Sequence, residues 1–452
     1  MRELLKVGIS GVRGIVGESF TPQIAVGFAQ AFGAFVGRGS VLIGRDTRPS
    51  GLMIEYAVVA GLQSVGCKPV LVGVVPTPTL LFLTRHLAAR GGIMITASHN
   101  PAEWNALKFI DRRGLFLGEE KAQHLFDLYH QQDFPFVAEA DIARVAHQPY
   151  PMEAHFGRIV DYVDRDSIRA RRFRVAVDVV NGVGALYSKF FLENLLGCAV
   201  VPLHDAPTGV FERNPEPLPQ HLTALSQAVV REGCDIGFAQ DPDGDRLAIV
   251  DERGEPIGED LTLAFACKQV LEAHERGPVV INLSASRVVE DVARAAGCSV
   301  SRTRIGETHV ARAMLESNAV IGGEHNGGVI LPRIHPCRDS FAAMAIVLEL
   351  MARTGKTVSQ LRSEMPAYVV VRRKNTIRSE QVPVALRELR RAYSHRPMNF
   401  LDGCFIEFED AWAHVRRSNT EPVLRITVEA PRAEQANALA DEIESRLSPF
   451  LG

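Results

Sequence analysis

Three carboxylates stand at alternate positions of one short segment, Asp241-Pro242-Asp243-Gly244-Asp245-Arg246, which follows the strand-like run 236–239. Alternate side chains of an extended loop point to one side, and three negative charges so close together repel strongly unless a cation neutralises them. Oxygen ligands favour Mg²⁺ over zinc. The segment therefore predicts a magnesium site, with a solvent-exposed acidic turn as the alternative. An EF-hand loop is not indicated, because Arg246 stands where that loop needs glycine.

A serine follows a second strand-like run. The segment Thr96-Ala97-Ser98-His99-Asn100-Pro101 comes directly after residues 93–95. Ligands gather at the carboxyl ends of strands in α/β sheets, so Ser98 is placed where it could react. No Gly-x-Ser-x-Gly pattern surrounds it, and a hydrolase-type serine is not indicated. Taken alone, Ser98 is also consistent with a turn residue or helix N-cap, and His99 with a surface or hydrogen-bonded histidine.

Two further polar segments could bind hydroxyl and phosphate groups. Glu324 and Asn326 lie in the glycine-flanked loop 322–328, where close backbone approach and polar side chains suit a sugar; an ordinary hairpin-like turn is the alternative. The segment 416–422, followed by Arg425, combines arginines with small hydroxyl and amide side chains. That composition predicts a local phosphate cradle, and a capped turn with solvated arginines is the alternative.

The elements that must position these segments form a repeated pattern. A β-rich run, a loop, an apolar-periodic helix, Gly-Cys and a second β-rich run occur three times, with the Gly-Cys pairs at 66–67, 197–198 and 297–298. Helices are predicted around 53–64, 188–196 and 288–296. Strand, helix and strand with glycine at the helix end predicts βαβ units and mainly parallel sheets.

The C-terminal part of the chain follows a different plan. Alternating runs at 368–371, 404–408, 413–415 and 424–428 predict strands, and 433–447 predicts a closing amphipathic helix. The whole chain is thus predicted to be an α/β protein of three similar mixed α/β domains followed by a smaller α+β domain. The expected boundaries are 1–148, 149–253, 254–365 and 366–452.

Composition limits the function classes. The 452 residues are 46% hydrophobic and 23% charged, which supports about three domains at roughly 150 residues each and excludes disorder as the main state. The net charge of −3 offers no global positive field for nucleic acid or an anionic membrane. The apolar stretches are shorter than the roughly 20 residues of a membrane span, and residues 1–6 lack a signal-peptide core, so we expect a cytoplasmic protein. Seven scattered cysteines argue against disulfides and structural zinc.

Taken together in this order, the four polar segments resemble those of the α-D-phosphohexomutase superfamily, which comprises phosphoglucomutases, phosphomannomutases and phosphoglucosamine mutases. The N-terminal segment 8–14 is similar to that family's first loop. The resemblance covers essentially the whole chain. It implies a heart-shaped molecule in which each of four domains contributes one loop to a central cleft.

The resemblance also implies a mechanism. Ser98 matches the family's phosphoserine, whose phosphoryl group passes to a sugar monophosphate; the resulting bisphosphate turns over and returns its other phosphate to the serine. Asp241, Asp243 and Asp245, with a phosphoserine oxygen, match the Mg²⁺ ligands, and a sugar 1,6-bisphosphate is the expected priming activator. Lys108 matches a proposed proton-transfer lysine, and Arg13 and His99 match residues beside the serine. The residues expected to bind the phosphosugar are Arg246, Gly306, Glu307, Glu324, Asn326, Arg416, Ser418, Asn419, Thr420 and Arg425. The expected assembly is a monomer or a homodimer.

Departures from the family pattern bear on the substrate. Many relatives have Ser and a later His in the sugar loop, where this chain has Asn326 and Gly328, so the resemblance supplies no second acid/base histidine there. The Asn-Gly-Gly form resembles an archaeal-type subgroup. Glu307 after Gly306 resembles the Gly-Asp of glucosamine-type enzymes, and Ser284 stands where dual-specificity enzymes carry a substrate lysine. These features favour glucosamine phosphate over glucose or mannose phosphate.

Other classes of protein fit the residues less well. A haloacid-dehalogenase-like phosphatase would use Asp241 as nucleophile and Asp243 as acid, which leaves Ser98 unexplained. A non-enzymatic sugar-phosphate sensor would be expected to lose the carboxylates or the serine. The glycine pair at 182 and 184 is too short for a dinucleotide-binding fingerprint.

Overall fold

The first unit of the chain is built on a seven-stranded sheet. The computed structural model describes residues 5–9, 11–418 and 423–451. The elements of this unit are β1 (Lys6–Gly8), β2 (Gly11–Ile15), α1 (Pro22–Val36), β3 (Ser40–Arg45), α2 (Gly51–Ser64), β4 (Lys68–Val74), α3 (Thr77–His86), β5 (Gly91–Ile95), β6 (Trp104–Asp111), α4 (Glu119–Gln131) and β7 (Ala146–His147). The strand order is β1-β2-β6-β5-β3-β4-β7, with β5, β3, β4 and β7 parallel.

The second unit has a four-stranded sheet. Its elements are α5 (Met152–Val160), α6 (Arg165–Arg171), β8 (Arg174–Asp178), α7 (Gly184–Phe190), β9 (Ala199–Leu203), α8 (Thr223–Glu232), β10 (Ile236–Gln240) and β11 (Leu247–Val250). The order is β11-β10-β8-β9, and only β11 is antiparallel to its neighbour.

The third unit has a five-stranded sheet and the longest buried helix. Its elements are α9 (Glu259–Gln269), β12 (Val279–Asn282), α10 (Arg287–Ala295), β13 (Val300–Thr303), α11 (Glu307–Ser317), β14 (Ile321–Glu324), β15 (Gly328–Leu331), β16 (His335–Arg338), α12 (Ser340–Thr354) and α13 (Val358–Ser363). The order is β13-β12-β14-β15-β16. Strands β14, β15 and β16 are antiparallel because short turns join them.

The fourth unit is an antiparallel sheet with two helices. Its elements are β17 (Val369–Thr376), α14 (Val382–Ala392), β18 (Met398–Asn399), β19 (Cys404–Glu407), β20 (Trp412–Arg417), β21 (Val423–Ala430) and α15 (Ala433–Leu447). The order is β17-β21-β20-β19-β18.

The predicted fold class is confirmed, with one correction. The three repeats are β3-α2-β4, β8-α7-β9 and β12-α10-β13, and the two strands of each repeat are parallel. In the second repeat α7 continues as a π-helical segment, Phe191–Leu195. The helical segment of each repeat ends two positions before a glycine whose φ lies between 72° and 75°, a conformation that L side chains rarely adopt. The expectation of mainly parallel sheets is wrong for the first and third units, where antiparallel pairs are as frequent as parallel ones.

The first three units share one hydrophobic core, so their loops are held at fixed relative positions. Helix α12 is buried along residues 340–351 and packs against strands and helices of the second and third units. The rings of Phe156, Phe191 and Phe341 meet there with centroids 4.8 to 5.4 Å apart. None of the helices in the described ranges combines the length and apolar character needed to cross a membrane. The seven cysteines are free thiols.

A buried histidine joins the third unit to the first and gives a pH prediction. His335 Nε2 donates to the carbonyl of Gly114 at 2.7 Å. Burial lowers the pKa of His335 from 6.5 to about 4, with nearby His155 and Arg85 adding to the shift and the Gly114 hydrogen bond opposing it. The unfolded chain therefore binds this proton between pH 6.5 and about 4 while the folded chain does not. The contribution of His335 to the free energy of unfolding is therefore complete above pH 6.5 and is lost as the pH falls from 6.5 to about 4.

We expect His335→Gln to reduce the acid sensitivity of the fold. The wild type should lose up to about 1.4 kcal/mol of unfolding free energy per pH unit through this one group. Urea unfolding of both proteins at several pH values from 6.5 to 4.5 measures the difference in slope. Equal slopes would show that His335 takes up its proton without unfolding.

Candidate active site

The three carboxylates of the acidic segment lie buried at the turn between β10 and β11. Asp241, Asp243 and Asp245 are each 0% exposed, and one oxygen from each lies within 4.8 Å of the others. The alternative of a solvent-exposed acidic turn is therefore wrong. Three carboxylates without water around them need a cation or other neutralising partners.

Two of these carboxylates each have one anchored and one unused oxygen. Oδ2 of Asp243 accepts hydrogen bonds from Thr77 Oγ1 at 2.7 Å and Lys108 Nζ at 2.8 Å. Oδ2 of Asp245 accepts one from Arg338 Nη2 at 2.6 Å. The Oδ1 atoms of both are buried and have no hydrogen-bond partner among the described residues. The unused oxygens are those left for a metal ion.

Asp241 connects the acidic loop to the serine. Its Oδ1 accepts from the backbone amides of Asp245 and Arg246 at 3.1 and 3.2 Å, and its Oδ2 accepts from Ser98 Oγ at 2.8 Å. Burial and the neighbouring carboxylates of Asp245 and Asp243 raise the pKa of Asp241. Burial acts the same way on Asp243, but the charge of Lys108 and its hydrogen bonds outweigh it and lower the pKa of Asp243.

The donor set fits a hard divalent cation. It consists of buried carboxylate oxygens, two of which accept no hydrogen bond from the part of the chain that the structure describes, with the Ser98 oxygen beside them. Asp241, Asp243, Asp245 and an oxygen carried by Ser98 are the groups that could hold such an ion.

The loop that carries Ser98 is held by an arginine that the sequence did not single out. Ser98 has φ +49°, a left-handed conformation that costs a non-glycine residue on the order of 1 kcal/mol and needs support from its surroundings. Arg48 supplies it. The Arg48 guanidinium is buried and donates to four loop carbonyls, those of Ser98, Asn100, Pro101 and Trp104, at 2.6 to 3.0 Å.

Asp46 completes this support. Its Oδ2 accepts from Arg48 Nε at 3.1 Å and from Thr96 Oγ1 at 2.6 Å, and Thr96 Oγ1 in turn accepts from the Ser98 amide at 2.9 Å. The available sequence signal was the charged segment 45–48, which lies between a strand and a helix of the first repeat. In the sequence alone, that segment cannot be distinguished from any other charged loop that connects a strand to a helix.

Most of the predicted site residues line one cavity of about 250 Å³ between the first three units. The predicted residues on its wall are Arg13, Ser98, His99, Lys108, Arg246, Gly306, Glu307, Glu324 and Asn326, and Arg338 joins them. The loops that carry them belong to units whose sheets are separate, so only the shared core brings them together.

Three basic side chains surround Ser98. Lys108 pairs with Asp243, as described, and Arg13 Nη1 lies 3.4 Å from Asn100 Oδ1. His99 Nδ1 lies 3.4 Å from Ser98 Oγ. Burial, reinforced by the charges of Arg246 and Arg13, lowers the pKa of His99 and so favours the neutral ring. Positive charge near the serine thus comes from lysine and arginine side chains.

The predicted sugar loop is a hairpin turn between β14 and β15. Glu324 Oε1 accepts from Asn282 Nδ2 at 3.0 Å and the Gly306 amide at 2.9 Å, and its Oε2 accepts from Arg338. Asn326 Oδ1 is buried with no hydrogen-bond partner among the described residues. The hairpin alternative was geometrically right, and the turn nevertheless faces the cavity.

Glu307 begins helix α11 and is bound by Arg338 rather than left free. Its Oε1 accepts from the Arg338 amide at 3.0 Å and its Oε2 from Arg338 Nε at 3.2 Å. Burial raises the pKa of Glu307 to about 7, although Arg338 opposes the shift. Arg246 also has a partner that the sequence missed, Glu216, at 3.3 Å.

The fourth unit contributes no wall residue to this cavity within the described ranges. Arg416 Nε donates to Asp402 Oδ2 at 3.1 Å, and the same oxygen accepts from the Ile305 amide at 3.2 Å, so the unit is tied to the turn before Gly306. Arg425 stands opposite Arg416 on the neighbouring strand. Ser418 is buried. The predicted residues Asn419 and Thr420 lie outside the described residues.

Ser284 has a structural partner in the fourth unit. Its Oγ lies 2.9 Å from His414 Nδ1, and both residues are buried. Ser284 thus takes part in a contact between the third and fourth units.

A buried serine beside three carboxylates that could hold a metal ion, in a cleft between α/β units, is an arrangement suited to phosphoryl transfer. Comparison with known proteins identifies the family. Four domain families match the chain: phosphoglucomutase/phosphomannomutase alpha/beta/alpha domains I, II and III over residues 4–136, 153–254 and 259–368, and the C-terminal domain over 368–446. The chain belongs to the phosphoglucomutase/phosphomannomutase family, within the α-D-phosphohexomutase superfamily.

The similar proteins extend over the whole chain. A "Probable phosphoglucosamine mutase" of Methanopyrus kandleri is 38% identical, covering 96% of each chain. A "Phosphoglucomutase/phosphomannomutase" of Thermococcus kodakarensis is 37% identical, covering 95% of each. Among solved structures, a phosphoglucomutase/phosphomannomutase family protein of Burkholderia thailandensis is 25% identical with a TM-score of 0.86, covering 100% of this chain and 99% of that one.

Proposed function

We propose that the chain is a phosphohexomutase that interconverts sugar 6-phosphate and sugar 1-phosphate through a phosphoserine at Ser98. The observation that carries the proposal is the 2.8 Å contact between Ser98 Oγ and Asp241 in a cavity lined by basic side chains. Family membership supports the same reaction.

The chemistry proceeds in two balanced transfers. In the first, a sugar hydroxyl attacks the phosphorus of phosphoserine, the bond from phosphorus to Ser98 Oγ breaks, and the sugar becomes a bisphosphate. The hydroxyl loses a proton and the leaving serine oxygen gains one. In the second, Ser98 Oγ attacks the phosphorus of the sugar's other phosphate, the bond from that phosphorus to the sugar oxygen breaks, and phosphoserine forms again while the first phosphate stays on the sugar product. Here the serine hydroxyl loses a proton and the leaving sugar oxygen gains one. His99, whose Nδ1 lies 3.4 Å from Ser98 Oγ, and Lys108, which pairs with Asp243, are groups that could move these protons.

Mg²⁺ is the cation that we propose for Asp241, Asp243 and Asp245, and it would supply charge neutralisation at the phosphoryl group. Arg13, Arg246 and Lys108 add fixed positive charge on the cavity wall. Such preorganised charge suits phosphoryl transfer, in which positioning and electrostatics supply most of the catalysis.

Glucosamine phosphate is the proposed sugar. Gly306 and Glu307, the pair that resembles the glucosamine-type enzymes, lie on the cavity wall. Asn326 and Gly328 match the archaeal-type form of the sugar loop. The Methanopyrus kandleri relative is named a probable phosphoglucosamine mutase. Glucose or mannose phosphate is the second candidate, which the Thermococcus kodakarensis relative's name favours. A sugar 1,6-bisphosphate is the proposed primer of Ser98. A cytoplasmic monomer or homodimer remains our expectation.

Phosphorus NMR tests the function and the sugar together. The purified protein is given Mg²⁺, a trace of glucose 1,6-bisphosphate, and glucosamine, glucose and mannose 6-phosphates in competition. We expect 1-phosphate signals, with glucosamine phosphate converted well ahead of the others. Faster conversion of glucose or mannose phosphate would overturn the sugar assignment, and no conversion of any would overturn the mutase itself.

A further inference from the structure

Arg338 joins three segments of the cavity wall through one guanidinium. It ends strand β16 and is 8% exposed. Nη2 donates to Oδ2 of Asp245 at 2.6 Å, Nη1 to Oε2 of Glu324 at 2.9 Å, and Nε to Oε2 of Glu307 at 3.2 Å. The acidic loop, the sugar loop and the start of α11 therefore meet on a single side chain.

These bonds determine how two of the carboxylates are presented. With Oδ2 of Asp245 bound to Arg338, the oxygen left for a metal ion is the buried Oδ1, which has no hydrogen-bond partner among the described residues and lies 3.9 Å from Arg246 Nε. Both oxygens of Glu324 are already hydrogen-bonded, so a sugar hydroxyl must share an oxygen with Arg338, Asn282 or Gly306. A guanidinium is planar and its donors have a fixed spacing, so a shift of one carboxylate displaces the other.

The absent side chain at position 328 makes room for this arrangement. Gly328 pairs directly with Glu324 across the hairpin. A Cβ atom at Gly328 would lie 2.2 Å from Cδ and 2.9 Å from Cγ of Arg338, far inside van der Waals contact. Its backbone is not in the left-handed region, so space rather than φ requires glycine here. A side chain at 328 would therefore require the Arg338 side chain, which bonds the three carboxylates, to shift, and its Cβ would also lie 3.1 Å from Asn326 Oδ1.

We propose that Arg338, accommodated by Gly328, is a positioning residue that couples metal binding at the acidic loop to sugar recognition by Glu324. This proposal rests on the phosphohexomutase function proposed above. Fixing the Asp245 carboxylate fixes the guanidinium and with it Glu324, so an occupied metal site prepares the sugar loop. The sugar strengthens metal binding by the same factor, because coupling between two ligands is reciprocal.

Titration calorimetry of the full chain tests the coupling without relying on turnover. Mg²⁺ affinity is measured alone, with inorganic phosphate, and with the sugar 6-phosphate that the NMR competition favours. The change in Mg²⁺ affinity with inorganic phosphate measures the direct attraction between the cation and the anion. Any further increase in Mg²⁺ affinity with the sugar phosphate measures the coupling to the sugar loop. In the wild type we expect this additional factor to be about 5-fold or more.

Two variants should reduce that factor to about one. Gly328→Ala displaces Arg338 and keeps every charge. Arg338→Lys keeps the charge but replaces the rigid fork with one ammonium group that cannot span three carboxylates. Because the lysine variant leaves buried carboxylates with fewer donors and could lose stability, the glycine variant keeps the test decisive.

Matched controls are available in the second and third units. Gly157→Ala in α5 places a methyl group with no atom within 4 Å, and Arg353→Lys alters a partly exposed arginine of α12 that bonds Gln269 and Glu272. Both should keep the wild-type factor. A wild-type factor retained in folded Gly328→Ala and Arg338→Lys, or no additional factor in an active wild type, would overturn the proposal. A wild type that turns over no hexose phosphate would instead count against the proposed function.

Discussion

Replacement of Ser98 by alanine is expected to lower mutase turnover by on the order of 10⁴-fold or more, because the variant has no atom to carry the phosphoryl group between the two ends of the sugar. Ser98 Oγ is the only hydroxyl in the described cavity wall that donates to the acidic loop's Asp241. The exchange of 6-phosphate and 1-phosphate signals in phosphorus NMR measures the loss. Incubation with labelled bisphosphate should leave label on the wild type and none on Ser98→Ala.

Ser64→Ala is the matched control, since Ser64 lies in helix α2 and bonds Gly61 and Gln30 away from the cavity. Its turnover should equal that of the wild type. If Asp241 were the nucleophile, as in a haloacid-dehalogenase-like phosphatase, Ser98→Ala would remain active. The geometry argues against that alternative, because both oxygens of Asp241 already accept hydrogen bonds. Full activity of Ser98→Ala would nevertheless refute the serine mechanism.

Asp243→Asn is expected to weaken Mg²⁺ binding and turnover by about 100-fold or more, because it removes both a ligand charge and the pair with Lys108. Mg²⁺ at about 100 times its Kd should stabilise the wild type by about 2.7 kcal/mol and the variant far less. Thermal unfolding with and without Mg²⁺ measures the difference. Activity against Mg²⁺ concentration gives the same comparison in turnover.

The Asp243→Asn variant should still fold without a bound metal ion. Asparagine keeps an acceptor for Thr77 and relieves repulsion among the three carboxylates, which offsets the cost of leaving Lys108 without its counter-charge. Asp127→Asn, at an exposed carboxylate that accepts a hydrogen bond from Gln123, is the control and should retain the full Mg²⁺ response. An unchanged Mg²⁺ response in Asp243→Asn would place the metal elsewhere, and an unfolded variant would show that the loop is chiefly structural.

The cluster of three carboxylates and the three strand-helix-strand repeats could be predicted from the sequence because their signals are local. The acidic segment is recognisable because Asp241, Asp243 and Asp245 alternate within five residues. The glycine after the helix of each repeat marks the start of the second strand. Helix α15 was predicted with its observed bounds for the same reason, since a helical period lies within one continuous segment.

Which side chains hold those residues in place was decided only by the tertiary structure. Arg48 acts on Ser98 across 50 positions, Arg338 on Asp245 across 93, and Thr77 on Asp243 across 166. Periodicity cannot specify such pairs, because each arises where separate sheets pack on a shared core. The sequence by itself determined what chemistry is available; the packing of three units decided which oxygen each carboxylate offers, since that depends on donors contributed by the neighbouring units.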